Sequence, residues 1–142
     1  MMQTTFAKVE SAKRDWYTTS AKGKVLGPLA VKVALALMGK TKSDWTPGVD
    51  TGNFVIVTDV ENLVFTRKKT ERKTYRFHSG YMGGITELTL GELHAAKPEL
   101  VFQLAVKRML PKTIQGSHQL KRLKIFKKDA HTHIGQKPSE LK

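Results

Sequence analysis

Cysteine is absent from the 142 residues of this chain, which excludes disulfides and thiolate metal sites and fits a reducing compartment. Acidic residues are scarce: 12 Asp plus Glu stand against 25 Lys plus Arg, a formal charge of +13. Such self-repulsion costs stability unless a polyanion neutralises it. No stretch is apolar for long enough to span a membrane, and none pairs a basic face with exposed Trp, Phe and Leu as an interfacial helix would. A secretory leader is missing too, because MMQTTFAKVESAKRDWY is broken by charges and runs into the first strand candidate. A cytosolic protein is expected. The G-x-x-x-x-G-K-[ST] and G-x-G-x-x-G spacings are absent, so HSGYMGGIT at residues 78–86 reads as a glycine-rich turn, not a phosphate-cradling loop.

Catalysis asks for a nucleophile beside a base or for paired carboxylates in a cleft, and here the acids are scattered among basic residues that pair with them. Asp44, Asp50 and Asp59 border the first strand–helix–strand unit and form the one acidic cluster of interest; they read as loop caps and local ion pairs. His118, His131 and His133 read as surface residues, since i,i+2 histidines in a polar tail without cysteine or a nearby acid make a poor ligand set. No metal, cofactor, small-molecule substrate or enzymatic activity is expected.

What is present suits one domain. With 39% hydrophobic and 8% aromatic residues, a chain of this length can bury a real core, and residues 1–142 are read as a single unit. Trp16 to Ser20 (WYTTS) is short, aromatic and β-branched, as a strand requires. In the next segment Leu26, Leu29, Val33 and Leu37, with Ala30 and Ala34, recur at helical spacing. Pro28 reads as the first helical residue after a Gly27 cap, and Gly39 as the stop. NFVIVTDV, residues 53–60, is the nearly continuous apolar run of a strand buried on both faces of a parallel sheet. Strand, helix and strand form one right-handed βαβ unit, so the Trp16 and Phe54 strands are expected to run parallel with Val55 and Val57 in the core. NLVFT (62–66) reads as a further short strand, and residues 67–84 as a basic, glycine-punctuated surface loop.

In the second half, Thr89 and Glu92 have capping-box spacing. Pro98 opens another helix, with Leu100, Val101, Leu104, Ala105 and Leu110 close to one face, until Pro111 stops it. RLKIF (122–126) is the last strand candidate. From about residue 127 the hydrophobic pattern fades into an extended tail whose docking depends on a partner.

Two basic stretches point to the partner's chemistry. The first holds Arg67, Lys68, Lys69, Arg72, Lys73 and Arg76 against a single Glu71, with Tyr75, Phe77 and His78 among and after them. It can track phosphates while offering flat rings to unpaired bases; Tyr75 and His78 are the candidates for packing on base or backbone. The second runs from Lys107 to Lys128 with eight Lys or Arg and no acid; Arg108, Lys112, Lys121, Arg122 and Lys124 are its candidate contacts. The segment from Lys112 onward is expected to order fully only on RNA. Nucleic acid is the expected partner class.

RDWY (14–17), GKVLGPLAVKVALALMGK (23–40), VDTGNFVIV (49–57), HSGYMGGI (78–85), AVKRMLPK (105–112), LKRLKIF (120–126) and HTHIGQKP (131–138) follow one another in the order and spacing of a known family. The chain resembles universal ribosomal protein thirteen of the large subunit, bacterial type, from about Lys13 to Pro138. The resemblance implies a three-layer α/β/α fold with a small, mostly parallel sheet and basic extensions. It also implies binding to large-subunit ribosomal RNA beside neighbouring large-subunit proteins, and a part in early subunit assembly. The turn at Met109 to Pro111 would then lead from a core helix to the RNA-facing segment. Pro28 stands where the family usually has Arg, Arg67 and Arg108 where it usually has Gly, Asn53 for a usual Asp, and Gly135 for a usual Ala. An off-ribosome nucleic-acid-binding regulator shares the charge pattern and is the alternative.

Overall fold

The structure, a computed structural model, describes residues 6–8, 10 and 12–141. Trp16–Ser20 forms strand β1, and helix α1 (Leu26–Met38) carries the chain to strand β2 (Phe54–Thr58). The two strands pair in parallel, Trp16 opposite Phe54 through Ser20 opposite Thr58, as a helical crossover requires. The helix starts two residues earlier than the proline suggests: Val25 is the N-cap and Pro28 the third helical residue. Proline fits there because the first four N–H groups of a helix have no partner within it. Gly39 ends the helix as expected.

NLVFT is not a strand. Val60–Asn62 forms a 3₁₀ turn and Val64 makes only an isolated bridge to Val25. The basic segment that follows is not a loop either. Helix α2 (Lys69–Arg72) leads into strand β3 (Thr74–His78), which pairs antiparallel with β4 (Ile85–Thr89) as a two-stranded hairpin apart from the main sheet. Helix α3 (Leu90–Ala96) opens with the full capping box: Thr89 N–H donates to Glu92 Oε2 at 2.8 Å, and Glu92 N–H to Thr89 Oγ1 at 3.3 Å. Pro98 starts α4 (Pro98–Met109). After Pro111 the chain forms α5 (Ile114–Lys121), which the sequence reading missed; Thr113 caps it, accepting from Gly116 N–H.

Strand β5 (Leu123–Ile125) and the short β6 (Ser139–Glu140) complete a four-stranded sheet in the order β5-β2-β1-β6, with every pairing parallel. Val55, Val57 and Leu123 belong to one buried cluster with α1 residues Leu29, Val33 and Leu37, α3 residues Leu90 and Leu93, and α4 residues Val101, Phe102 and Val106. Ile56 is fully buried too, on the opposite face by strand alternation. On that face Trp16 stacks on Phe54 at 4.3 Å, and the C-terminal segment returns to cover them. The ring of His133 lies 5.3 Å from Trp16 and 5.9 Å from Phe126, and Leu141 N–H donates to Thr18 O at 2.9 Å. The expected α/β architecture with its mostly parallel sheet is therefore the one observed. The tail does not extend away from it; aromatic contacts and an open strand edge on β1 bring it back.

Candidate nucleic-acid interface

Alternation along β3 turns Tyr75 inward, 2% exposed, and Arg76 outward. Arg76 pairs across the hairpin with Glu87 at 2.6 Å, an exposed contact that holds the strands in register and contributes about 1 kcal/mol at most. Tyr75 has a different set of neighbours. Lys73 Nζ lies 5.0 Å from its ring centroid and the Arg108 guanidinium 5.5 Å, distances at which a cation is drawn to the ring's negative face. Lys73 comes from the first basic stretch and Arg108 from the last turn of α4, where the helix dipole favours positive charge. One aromatic ring thus joins the two stretches.

Lys69, Lys73 and Arg108 line the same cleft, about 230 Å³, with Thr66 and the apolar side chains of Phe65, Leu90 and Met109. No carboxylate lines it, and among the described residues the ion pairs are Arg76–Glu87 and Arg122–Asp50. Lys69, Lys73 and Arg108 therefore line this cleft with no acidic side chain among its lining residues.

The remaining candidates divide. Arg67, Lys68 and Arg72 are exposed around α2, and Arg67 and Lys68 both hold left-handed backbone, φ +58° and +52°. His78 is exposed, and its Nδ1 accepts from Gly80 N–H at 2.9 Å. Lys112 and Lys121 are exposed at the two ends of α5, and Lys124 is half-buried in β5.

Two of the candidates are corrected. Arg122 is 6% exposed and turned inward, where Nη1 and Nη2 each donate to an Asp50 carboxylate oxygen at 2.5 Å and Nη2 also reaches Leu37 O at 3.3 Å. Its charge is committed within the fold. Tyr75 is buried under its two cations, so its face is not open to a base. The T-Y-R-F-H alternation, read as a strand, carries a signal for Tyr75; nothing local to Arg122 announces a partner 72 residues away.

The acidic cluster does not converge. Asp59 accepts from Ser20 Oγ at 3.1 Å, Asp50 is held by Arg122, and Asp44 is exposed. Burial raises the pKa of the Asp50 carboxyl, but the hydrogen bonds and charge of Arg122 act against it, with smaller help from Gly52 N–H and Arg14, and the net result lies below the ordinary carboxylate value. His131 and His133 pack around Phe126, and His118 is exposed on α5.

Residues 14–132 match the family model described as Ribosomal protein L13. The chain is 52% identical over 141 residues to the large ribosomal subunit protein uL13 of Thermosipho africanus, covering 99% of this chain and 95% of that one. It is 49% identical over 140 residues to uL13 of Dictyoglomus thermophilum and 46% identical over 140 residues to uL13 of Pelobacter propionicus, with 99% of each chain covered in both comparisons. A βαβ core, two basic stretches meeting at one ring, and similarity along nearly the whole chain lead to one assignment: the chain belongs to the ribosomal protein L13 family.

Proposed function

We propose that this protein is a structural constituent of the large ribosomal subunit, binding large-subunit ribosomal RNA and contributing to early assembly of that subunit. The observation that carries the reading is the meeting of Lys73 and Arg108 on Tyr75, which brings one residue from each of the two basic stretches to the same ring. The Lys and Arg side chains around it hold phosphate and sugar and position the protein without reading sequence. Arg67, Lys68, Lys69, Arg72, Lys73, Arg76, Arg108, Lys112, Lys121 and Lys124 are the proposed contacts, with His78 beside them. Neighbouring large-subunit proteins are its other partners, and its place is in the cytoplasmic ribosome.

Gradient sedimentation of a cell lysate tests this. The protein should travel with the large subunit at stoichiometric level and also be present on its early precursors. Recovery at the top of the gradient, or in traces on the subunit, would replace this reading with that of an off-ribosome nucleic-acid-binding regulator.

A further inference from the structure

We infer that the tip of the β3–β4 hairpin is a stacking platform for one unpaired base of RNA, with Tyr81 as the ring that receives it. This rests on the ribosomal-RNA reading above and adds a contact of a different chemical kind. Beyond the Arg76–Glu87 pair, the ten residues from Phe77 to Thr86 contain no Lys, Arg, Asp or Glu. In a chain of net charge +13, this is an uncharged projection. Tyr81 is 80% exposed, Met82 100% and Ile85 61%.

The tip is held in one shape. Ser79 N–H donates to Gly84 O at 3.0 Å, Gly84 N–H to Tyr81 O at 3.0 Å, and Gly80 N–H to His78 Nδ1 at 2.9 Å. Gly80 and Gly83 take φ of +93° and +71°, backbone that side-chain-bearing residues rarely adopt. A Cβ on Gly84 would sit 2.1 Å from Ser79 Oγ. Ordering is largely complete before a partner arrives, which lowers the entropic cost of binding. An aromatic ring and a methionine held outward by such a turn mark a contact surface.

The surroundings choose the occupant. At the root of the hairpin Arg67, Lys68, Lys69 and Arg72 are exposed and face a single Glu71. A partner spanning root and tip must be anionic at one end and flat and weakly polar at the other. Single-stranded RNA provides both along a run of several nucleotides, phosphate for the cations and a base for the ring. An apolar pocket on a protein would need a ring of acids placed around it to match. Burial of Tyr75 removes the ring first suggested for stacking, and Tyr81 presents one further along the same hairpin.

The test measures binding of the full-length protein to a large-subunit ribosomal RNA transcript across a series of salt concentrations. Tyr81→Ala should weaken binding by about 5- to 100-fold, the loss of one stacked base, with the salt slope unchanged because no phosphate contact is removed. Tyr81→Phe keeps the ring and should bind within about 2-fold of the parent. Wild-type affinity in Tyr81→Ala, with wild-type protein still binding in a salt-dependent way, would overturn the platform and leave RNA binding intact, transferring the tip to a protein neighbour. Equal losses in Tyr81→Phe and Tyr81→Ala would overturn stacking in favour of a hydroxyl contact. If the wild-type protein itself bound the transcript without salt dependence, the ribosomal-RNA reading would fail first. Tyr81 is exposed, so both variants should fold, and their melting curves should overlay the parent's.

Discussion

Arg122 and Asp50 form a bidentate pair across 72 residues of sequence, both guanidinium nitrogens at 2.5 Å from the carboxylate oxygens. The side chains are 7% and 19% exposed, and Arg122 Nη2 also satisfies Leu37 O near the end of α1. The clamp ties the residue just before β5 to the loop before β2. It leaves no room beneath it: a Cβ on Gly52 would meet Leu37 O at 1.7 Å and Arg122 Nη2 at 2.8 Å. A residue that charge counting assigns to RNA instead fastens the sheet.

Removing one partner should therefore cost far more than an exposed pair would. Asp50→Ala leaves a buried guanidinium uncompensated, and chemical unfolding should show a loss of about 3–5 kcal/mol. The pair also fixes a pH dependence. The folded carboxyl titrates below its ordinary value of 3.8, so its contribution is complete above that value and is lost as pH falls through the lowered folded one. Asp50→Asn should be less stable at neutral pH, and its stability should fall less steeply than the parent's below about pH 4, where the carboxylate of the unfolded parent takes up a proton that the folded one still resists. Parallel acid-unfolding curves for the two proteins would refute the assignment.

Arg67 offers a trade between stability and binding. It holds φ +58°, a conformation that costs a residue with a Cβ about 1 kcal/mol or more relative to glycine. Arg67→Gly should raise stability by up to about 1 kcal/mol, seen as a higher melting temperature, while weakening RNA association through the loss of one cation. A gain in both would show that Arg67 does not touch phosphate.

Lys68 and Lys69 test the phosphate role directly. Both are exposed beside the cleft that Lys69, Lys73 and Arg108 line. The double variant Lys68→Ala, Lys69→Ala should reduce affinity for ribosomal RNA and lower the slope of log affinity against log salt by about 1 to 2. A fall in affinity at constant slope would mean that the two lysines act through something other than counterion release.

The C-terminal segment should reveal its anchor by hydrogen exchange in the isolated protein. The sequence led to an expectation of an extended tail from about residue 127 whose docking depends on a partner, yet the structure seats His133 against Trp16 and bonds Leu141 N–H to Thr18 O. Partial protection of the Leu141 amide is expected without RNA. Trp16→Ala, which removes the ring shared by Phe54 and His133, should speed exchange at Leu141 by about tenfold or more, corresponding to the loss of roughly 1.4 kcal/mol of docking. Unchanged exchange would mean that the β6 pairing alone holds the tail.

By itself the sequence determined the features written in short-range chemistry. The helical recurrence of Leu29, Val33 and Leu37 and the apolar run from Phe54 to Val57 specify a βαβ unit, and the crossover rule makes its strands parallel. Thr89 and Glu92 specify a helix start because three residues of spacing are all a capping box needs. The excess of Lys and Arg sets a net charge of +13, on which the proposal of a polyanionic partner rests, since net charge does not depend on where the chain folds. Tertiary structure decided which of those charges remain available. Arg122 reads like its neighbour Lys121 in sequence, but one is buried on Asp50 and the other exposed. Residues 67–84 read as a loop because glycine and charge hide the alternation that pairs Tyr75 with Leu88 and buries its ring. The tail read as free because its anchors, Trp16 and Thr18, lie more than a hundred residues earlier. Contacts at such separation leave no local pattern: each depends on the order of the strands in the sheet, and that order exists only once the chain has folded.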